Sequence, residues 1–426
     1  MRPVLLARRA GRLAAPLLAV APLAVAACAG APSAASPHGG ELPRTHAPRP
    51  TAAAITPQDL MTRLYVFADD SMQGRAMGTA GYRRATDYIA AELRRLGLQP
   101  AGGDGSYFQN LPARLLGVDD TSAPGAADGA GGTVRTVVAI IPGRDPALRG
   151  QYVALGAHAD HLGVSTRPVD HDSLRAVNAL AWQLSGATND PRPLTAEERA
   201  QLHVDLDSLR RLRPVRLDST YNGADDDGTG SMALLEIAEA LARGPARPRR
   251  SVLLVWHTGE ELGMLGSAYF TDHPTVPLDS IVAQINVDMI GRGSAADLVN
   301  GGPGYVGVVG ASRLSTELGE LVERVNAEGD HGLTFDYALD AAGHPQNIYC
   351  RSDHYSYARH GIPIAFFFTG LHGDYHQVTD EPQYIDYPHY ARITRYLQDL
   401  VLAVADRPSR LVVDQPKPDP NGRCQQ

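Results

Sequence analysis

Short apolar runs that alternate with helical patterns constrain the fold of this chain most strongly. Four runs are short enough to be buried strands, at residues 134–141, 152–156, 252–256 and 281–287. Apolar residues recur at helical spacing around them, at residues 80–96, 234–241, 314–325 and 388–405. Because strands and helices alternate along the chain, we predict a layered α/β domain.

Size and charge limit what the protein can do. Its 426 residues, 43% of them hydrophobic, are enough to bury a large core in one domain or two. The formal net charge is −8, and it becomes −12 without the first 27 residues, which carry four arginines and no acidic residue. Nucleic acid and anionic lipid surfaces are therefore not expected as partners.

The N-terminal segment is typical of an export signal. In residues 1–27, arginines precede an apolar run from Leu13 to Ala27 that is too short to span a bilayer comfortably. The run ends in Val-Ala-Ala-Cys28, which resembles a bacterial lipobox, whereas ordinary secretory cleavage is the alternative. We expect an exported protein, anchored at the cell envelope by a lipid on Cys28 or secreted, with no other membrane contact.

Composition divides the rest of the chain. Residues 28–54 are rich in Ala, Pro, Ser and Gly, which predicts a disordered tether. The folded domain is expected over residues 55–410, because Thr56 and Pro57 suit a helix start, and residues 411–426 are expected to form a flexible tail. Cys350 and Cys424 are able to pair in an exported protein, but the sequence alone does not decide this.

Residues 164–220 interrupt the alternation of strands and helices. They carry no strand signal but two helical patterns, the second of which follows a capping box at Thr195 and Glu198. We predict a helical insertion that serves either as a lid or as a dimer contact. The sequence does not choose between these roles, and it does not reveal the oligomeric state.

Three consecutive aspartates lie between glycines in the run from Asn222 to Gly230. Adjacent carboxylates repel one another, so a folded chain rarely keeps them together without cations nearby. The glycines allow a tight turn, and the helical pattern that follows places the run at a loop-to-helix junction. This pattern indicates a metal site, although a solvated helix-capping turn is the plain alternative.

Histidines and carboxylates also follow several predicted strands. His158 and Asp160 follow the first, Glu260 and Glu261 the next, Asp288 a third, and His376 lies in a later loop. These are the ligand types of zinc and related metals, and open α/β sheets place their sites at the carboxyl ends of strands. Each has an ordinary structural explanation when taken singly, but their joint occurrence favours a metal centre.

These motifs resemble the di-zinc aminopeptidases of the zinc-exopeptidase superfamily, which also contains glutamate carboxypeptidases and glutaminyl cyclases. The resemblance runs from about residue 60 to residue 405 and rests on segments 158–163, 222–230, 259–263, 286–289, 352–354 and 375–381. It implies a mixed, mostly parallel central sheet with helices on both faces. Two features depart from the common pattern: Ala159 stands where an aromatic residue is frequent, and the insertion separates the first two motifs widely.

The resemblance implies two divalent metal ions, with zinc as the expected metal. Asp226 would bridge both ions. His158 and Asp288 would complete the protein ligands of one ion, and Glu261 and His376 would complete those of the other.

The resemblance also implies a reaction, the removal of N-terminal residues from peptides by a hydroxide that two metals activate. Glu260 would act as the general base, and Tyr375 would donate a hydrogen bond to the developing oxyanion. Asp160 would orient His158, and Asp380 would be the corresponding partner of His376.

Three other functions fit the same motifs. A carboxypeptidase or dipeptidase would use the same metal core, because that core does not determine which substrate terminus is held. A glutaminyl cyclase is disfavoured by the intact ligand set for two metals. A non-catalytic binding module on this fold should lack a ligand or the base, and none is missing. The preferred side chain at the scissile bond is not predicted.

Overall fold

The computed structural model describes residues 42–116 and 134–426. Its nine-stranded mixed sheet has the strand order β1-β3-β7-β4-β8-β11-β9-β10, and β2 pairs with β3. The strands of this sheet are β1 Gln99–Pro100, β2 Phe108–Asn110, β3 Arg135–Ile141, β4 Tyr152–His158, β7 Ser251–His257, β8 Ile281–Val287, β9 Tyr305–Val309, β10 Thr334–Asp336 and β11 Ile364–Phe368. A separate two-stranded sheet pairs β5 Gly163–Asp170 with β6 Leu217–Tyr221.

The four central strands β7, β4, β8 and β11 run parallel to one another, and antiparallel strands flank them. Every residue of β3, β7, β8 and β11 is buried, because apolar layers cover both faces of the sheet. Neighbouring residues face opposite layers: Phe367 packs in one, and Phe366 and Phe368 pack in the other. The predicted mixed α/β architecture is confirmed.

Helices supply both layers. The ten α-helices of the described chain are α1 Pro57–Phe67, α2 Ala80–Arg95, α3 His171–Leu184, α4 Ala196–Ala200, α5 Leu206–Leu212, α6 Gly230–Arg243, α7 Leu265–Asp272, α8 Thr316–Glu328, α9 His354–Ala358 and α10 Tyr387–Ala405. The larger core contains residues of α1, α2, α6, α8 and α10, and the smaller core contains residues of α7 and α9. The sheet is therefore enclosed between two helical layers.

The segment at residues 164–220 differs in part from its prediction. It contains the expected helices α3, α4 and α5, and the capping box at Thr195 and Glu198 is formed. However, β5 and β6 pair antiparallel, so the prediction that this segment contains no strands is wrong. Residues 164–169 of β5 are mostly exposed, and without a buried face they show no apolar alternation in the sequence.

Two segments predicted to be flexible make defined contacts. Within the predicted tether, the described residues 42–54 lie against α1 and α6: Tyr65 donates to the carbonyl of Pro43, and Thr51 donates to Glu239. In the predicted tail, Cys424 forms a disulfide with Cys350, with 5.8 Å between their Cα atoms. Hydrogen bonds and a covalent link hold these polar segments in place. Composition alone does not reveal such bonds.

The predicted export signal at 1–27 and the lipidation site at Cys28 lie outside the described residues. Within the described chain, every helix is too short or too polar to cross a lipid bilayer.

Candidate metal centre

The carboxyl ends of the parallel strands bring the predicted ligands to one edge of the sheet. His158 is the last residue of β4, and Asp288 directly follows β8. Glu261 comes four residues after β7, and His376 lies in the loop that follows β11. Because β4, β7, β8 and β11 are parallel, these four positions lie at the same edge, where Asp226 joins them from the loop before α6.

The acidic loop is fixed in place by two of its own carboxylates. Asp227 accepts hydrogen bonds from the backbone amides of His158, Gly230 and Met289, at 3.0, 2.8 and 3.2 Å. Asp225 accepts from the backbone amide of Gly291 at 2.7 Å. These two aspartates therefore connect the loop to the strand ends, and Asp226 is left to face the centre.

Asp380 supports the same loop rather than His376. Its carboxylate accepts hydrogen bonds from the backbone amides of Asp225 and Asp226 at 3.0 and 3.1 Å. The suggestion that Asp380 orients His376 is therefore wrong. Arg75, which is fully buried, donates to the carbonyls of Ala159 and Gly223 at 3.1 and 2.8 Å, and it ties the turn after β4 to the acidic loop.

The two oxygens of Asp226 face two different histidines. Its Oδ1 lies 3.2 Å from Nε2 of His158, which is also 3.6 Å from Asp288 Oδ1. Its Oδ2 lies 3.0 Å from Nε2 of His376, which is also 3.1 Å from Glu261 Oε2. The five predicted ligands are thus brought together as two groups that share one carboxylate.

His158 is held by the residue two positions after it. Its Nδ1 lies 3.1 Å from the backbone carbonyl of Asp160 and 3.8 Å from the Asp160 carboxylate. A carbonyl oxygen only accepts hydrogen bonds, so Nδ1 is the donor and Nε2 keeps its lone pair in the neutral ring. Asp160 therefore orients His158 chiefly through its backbone, and its carboxylate also accepts the amide N–H of Glu260 at 3.3 Å.

Asp288 is held by a buried chain of polar side chains. Ser352 donates to Asp288 Oδ2 at 2.9 Å and accepts from Asn286 at 3.0 Å, and Asn286 in turn accepts from Gln284. Ser352 and Asn286 belong to motifs visible in the sequence, but their contact with Asp288 appears only in the fold. Such outer partners orient metal ligands.

Glu260 and Tyr375 lie beside these groups. Burial, with a further contribution from the negative charge of Asp288, raises the pKa of Glu260 well above its usual range. Burial likewise raises the pKa of the Tyr375 hydroxyl, so this group stays protonated and able to donate at neutral pH. The Tyr375 ring stacks on His376 with 3.9 Å between the ring centroids.

His161 is a residue of the centre for which the sequence predicts no role. Its Nδ1 lies 2.6 Å from Glu261 Oε1 and 3.9 Å from Asp226 Oδ2, inside the group that contains His376. The only signal in the sequence was its position three residues after His158 in the same motif.

A second polar cluster joins the 164–220 segment to the loop after β11. His171 Nε2 lies 3.2 Å from Glu381, and Asp218 completes a group with the spacing of metal ligands. However, Arg216 already donates to both oxygens of Glu381, at 2.8 and 2.9 Å. The cluster is therefore an ion-paired joint, because a cation is already present at the carboxylate.

Burial and negative charge favour bound cations at the candidate metal centre around Asp226. Burial alone would raise the pKa of Asp226, but its contacts with His158 and His376 hold that pKa well below the usual range. Within the described chain, histidine nitrogens are the only basic groups within ion-pair distance of the carboxylates of Asp226, Glu261 and Asp288, and a neutral imidazole does not balance their charge. Neither His158 Nε2 nor Glu261 Oε1 forms a hydrogen bond there. Divalent metal ions bind where several ligand atoms converge and where carboxylate charge is not balanced by a cationic side chain.

Comparison with known proteins finds a peptidase family. The family model described as Peptidase family M28 matches residues 136–401. Leupeptin-inactivating enzyme 1 of Streptomyces exfoliatus is 23% identical over 346 residues, which cover 79% of this chain but only 55% of that protein. The chain thus spans about half the length of this relative.

Two solved structures show the same fold. The LapA aminopeptidase of Legionella pneumophila superposes with a TM-score of 0.53 at 16% identity, covering 83% of this chain and 73% of that chain. A glutaminyl cyclase of Porphyromonas gingivalis superposes with a TM-score of 0.51 at 19% identity, covering 81% and 97%. At these identities the likeness concerns the fold alone, and proteins with two different activities share it.

Proposed function

Because the chain belongs to peptidase family M28, we propose that it is an aminopeptidase that holds two divalent metal ions, with zinc as the expected metal. One observation carries the proposal. Asp226 presents one oxygen to His158 and the other to His376, so a single carboxylate is shared by two sets of ligands. His158, Asp226 and Asp288 would hold one ion, and Asp226, Glu261 and His376 would hold the other.

The reaction proposed for this site is hydrolysis of the first peptide bond of a peptide. Bound divalent ions supply Lewis-acid chemistry, which lowers the pKa of water and polarises a carbonyl group. Glu260 takes a proton from the attacking water and returns it to the leaving amine. Tyr375 donates a hydrogen bond to the carbonyl oxygen as negative charge develops there.

The fold leaves glutaminyl cyclase as an alternative. The shared carboxylate supports a two-metal hydrolase over a cyclase, since the ligands of both groups are present. A carboxypeptidase or dipeptidase would use the same donors and differ in the substrate terminus that it holds. The substrate terminus must therefore be tested directly.

A substrate panel on the zinc-loaded protein separates these functions. We expect the protein to hydrolyse aminoacyl nitroanilides with a free amine. We expect it neither to hydrolyse N-acetylated dipeptides nor to cyclise an N-terminal glutamine. Activity confined to the acetylated dipeptides or to cyclisation would overturn the aminopeptidase assignment.

Glu260→Gln should retain both metals and lower kcat by about 100-fold or more, because it removes the general base. Unchanged turnover would exclude that role.

We also propose that the protein is exported and tethered to the cell envelope through Cys28. The lipobox-like run before Cys28 supports this location. Cys28→Ser is expected to move the protein from the membrane fraction to the soluble fraction, and a wild-type protein that is already soluble would contradict the anchor.

A further inference from the structure

His161 is a buried histidine of the centre that the five-ligand set does not use. It lies in the turn between β4 and β5 and is 2% exposed. Its backbone amide donates to the carbonyl of Arg75 at 3.2 Å, which fixes the turn. Its ring meets the His376 ring edge to face, with 5.8 Å between the centroids. The imidazole is therefore held within the group formed by Asp226, Glu261 and His376.

The nitrogens of His161 have no hydrogen-bond partner within the described chain. Nδ1 lies only 2.6 Å from Glu261 Oε1, yet this contact does not have hydrogen-bond geometry. The same combination occurs at His158 Nε2, which lies 3.2 Å from Asp226 and is also without a hydrogen bond. In both places a nitrogen and an oxygen converge without a hydrogen bond, which is the arrangement expected of two ligand atoms of one metal ion. A buried histidine without a partner is otherwise costly.

The acidic loop leaves room for this ring by means of a glycine. Gly223 has φ +55°, and a Cβ atom at this position would lie 2.6 Å from both Cγ and Cδ2 of His161. Any other residue would collide with the imidazole or displace it. Gly223 therefore lets the loop that carries Asp226 lie directly against the His161 ring.

We propose that His161 Nδ1 is a fourth protein ligand of the metal held by Asp226, Glu261 and His376. With bonds of about 2.0 to 2.2 Å, neighbouring donors of a tetrahedral zinc ion lie about 3.3 Å apart. The distances from His161 Nδ1 to Glu261 and Asp226, 2.6 and 3.9 Å, lie on either side of that value. The inference rests on the proposed two-metal centre and adds a donor to one side of it.

The extra donor makes the two sites unequal. Four protein donors would surround the ion on the His161 side, whereas His158, Asp226 and Asp288 supply three on the other side. Sites with four protein ligands are typical of tightly held ions, and sites with three keep a position for water or substrate. We therefore assign the tighter, slowly exchanging ion to the His161 side and the open position to the His158 side.

The test is a Co²⁺ titration of the metal-free protein, followed by visible absorption, which reports both affinity and coordination number. The wild type should bind two ions in two steps. His161→Ala should weaken the tighter step by more than about 100-fold, beyond the 10- to 100-fold typical of outer partners, and should change its spectrum. His161→Phe keeps a ring of similar size but lacks both nitrogens, so it should weaken the tighter step as His161→Ala does. It replaces His161→Ala in the titration if the smaller side chain impairs folding. X-ray absorption of the zinc-loaded wild type should count three imidazoles over two ions.

The control is His331→Ala, which removes a histidine that pairs with Asp399 away from the centre; it should leave both steps unchanged. If the wild type binds two ions, and both His161 variants keep two steps with unchanged affinities and spectra, the assignment of His161 is overturned while the two-metal centre stands. If the wild type binds fewer than two ions, the proposed function itself fails. These results are distinguishable because the wild-type stoichiometry is measured first.

Discussion

Asp226 connects the two halves of the candidate centre, because one of its oxygens faces His158 and the other faces His376. Asp288, in contrast, lies beside His158 alone among the histidines of the centre. We therefore expect Asp226→Ala to lose both metal ions and Asp288→Ala to lose one. Metal analysis after gel filtration measures this difference. Two ions retained by Asp226→Ala would show that the carboxylate is not shared.

The site residues that could be identified from the sequence are those whose side chains are common metal ligands. Histidines and carboxylates at the ends of apolar runs stood out for this reason, as His158 and Asp288 did. Ser352 and Arg75 act through contacts with residues distant in the chain, and serine and arginine are ordinary at such positions. Their roles are visible only when the fold brings the turn, the acidic loop and β8 together.

Among the elements, α1 is joined to α6 and α2 by one buried arginine. Arg63 donates to Glu236 at 2.8 Å, to Glu239 at 2.5 Å and to Glu92 at 2.8 Å, and its side chain is 1% exposed. Burial raises the pKa of Glu236 to about 7 even with Arg63 beside it, so the charged form of this carboxylate is costly to bury. The start signals Thr56 and Pro57 predicted α1, and helical patterns predicted α2 and α6, but neither gave any sign of this joint.

Arg63→Met should lower the free energy of unfolding by about 3 to 5 kcal/mol at neutral pH, because it leaves a buried glutamate without its cation. Denaturant unfolding measures the change. Arg95→Ala is the matched control: Arg95 contacts Glu92 and Glu239, but its side chain is 35% exposed. Its loss should cost about 1 kcal/mol or less. Equal losses in the two variants would contradict the role of burial.

The joint between the 164–220 segment and the loop after β11 should depend on pH. Burial alone would raise the pKa of Glu381, but contacts with His171 and Arg216 lower it to about 2, from an ordinary value of 4.5. The folded pKa is below the unfolded one, so the stabilisation is complete above pH 4.5 and is lost as pH falls towards 2.

We expect the difference in unfolding free energy between wild type and Glu381→Gln to narrow by about 2 kcal/mol between pH 6 and pH 3. Comparing the two proteins cancels the titration of the shared groups that do not contact Glu381. A difference that stays constant over this range would show that Glu381 titrates alike in the folded and unfolded chains.

Across the whole molecule, two stretches judged flexible from composition are parts of the folded unit. Residues 42–54 lack a buried apolar pattern, and their attachment depends on single contacts such as that of Thr51 with Glu239. Residues 411–426 are likewise polar, yet Leu411 packs in the larger core and Gly343 donates to the carbonyl of Gln426 at 2.9 Å. Composition reports the apolar area available for burial, and it is silent about a few long-range bonds.

The disulfide is the strongest of these long-range bonds. Cys350 and Cys424 are separated by 74 residues, so the link restricts the unfolded chain substantially. In the chain-entropy description, closing a loop of this length is worth about 4 kcal/mol. The double variant Cys350→Ser with Cys424→Ser should therefore unfold at a lower denaturant concentration, by about that free energy. Reductant should shift the wild type to the same midpoint and leave the variant unchanged. Coincident unfolding curves for oxidised wild type and variant would contradict a stabilising link between the C-terminal segment and the loop that carries Ser352.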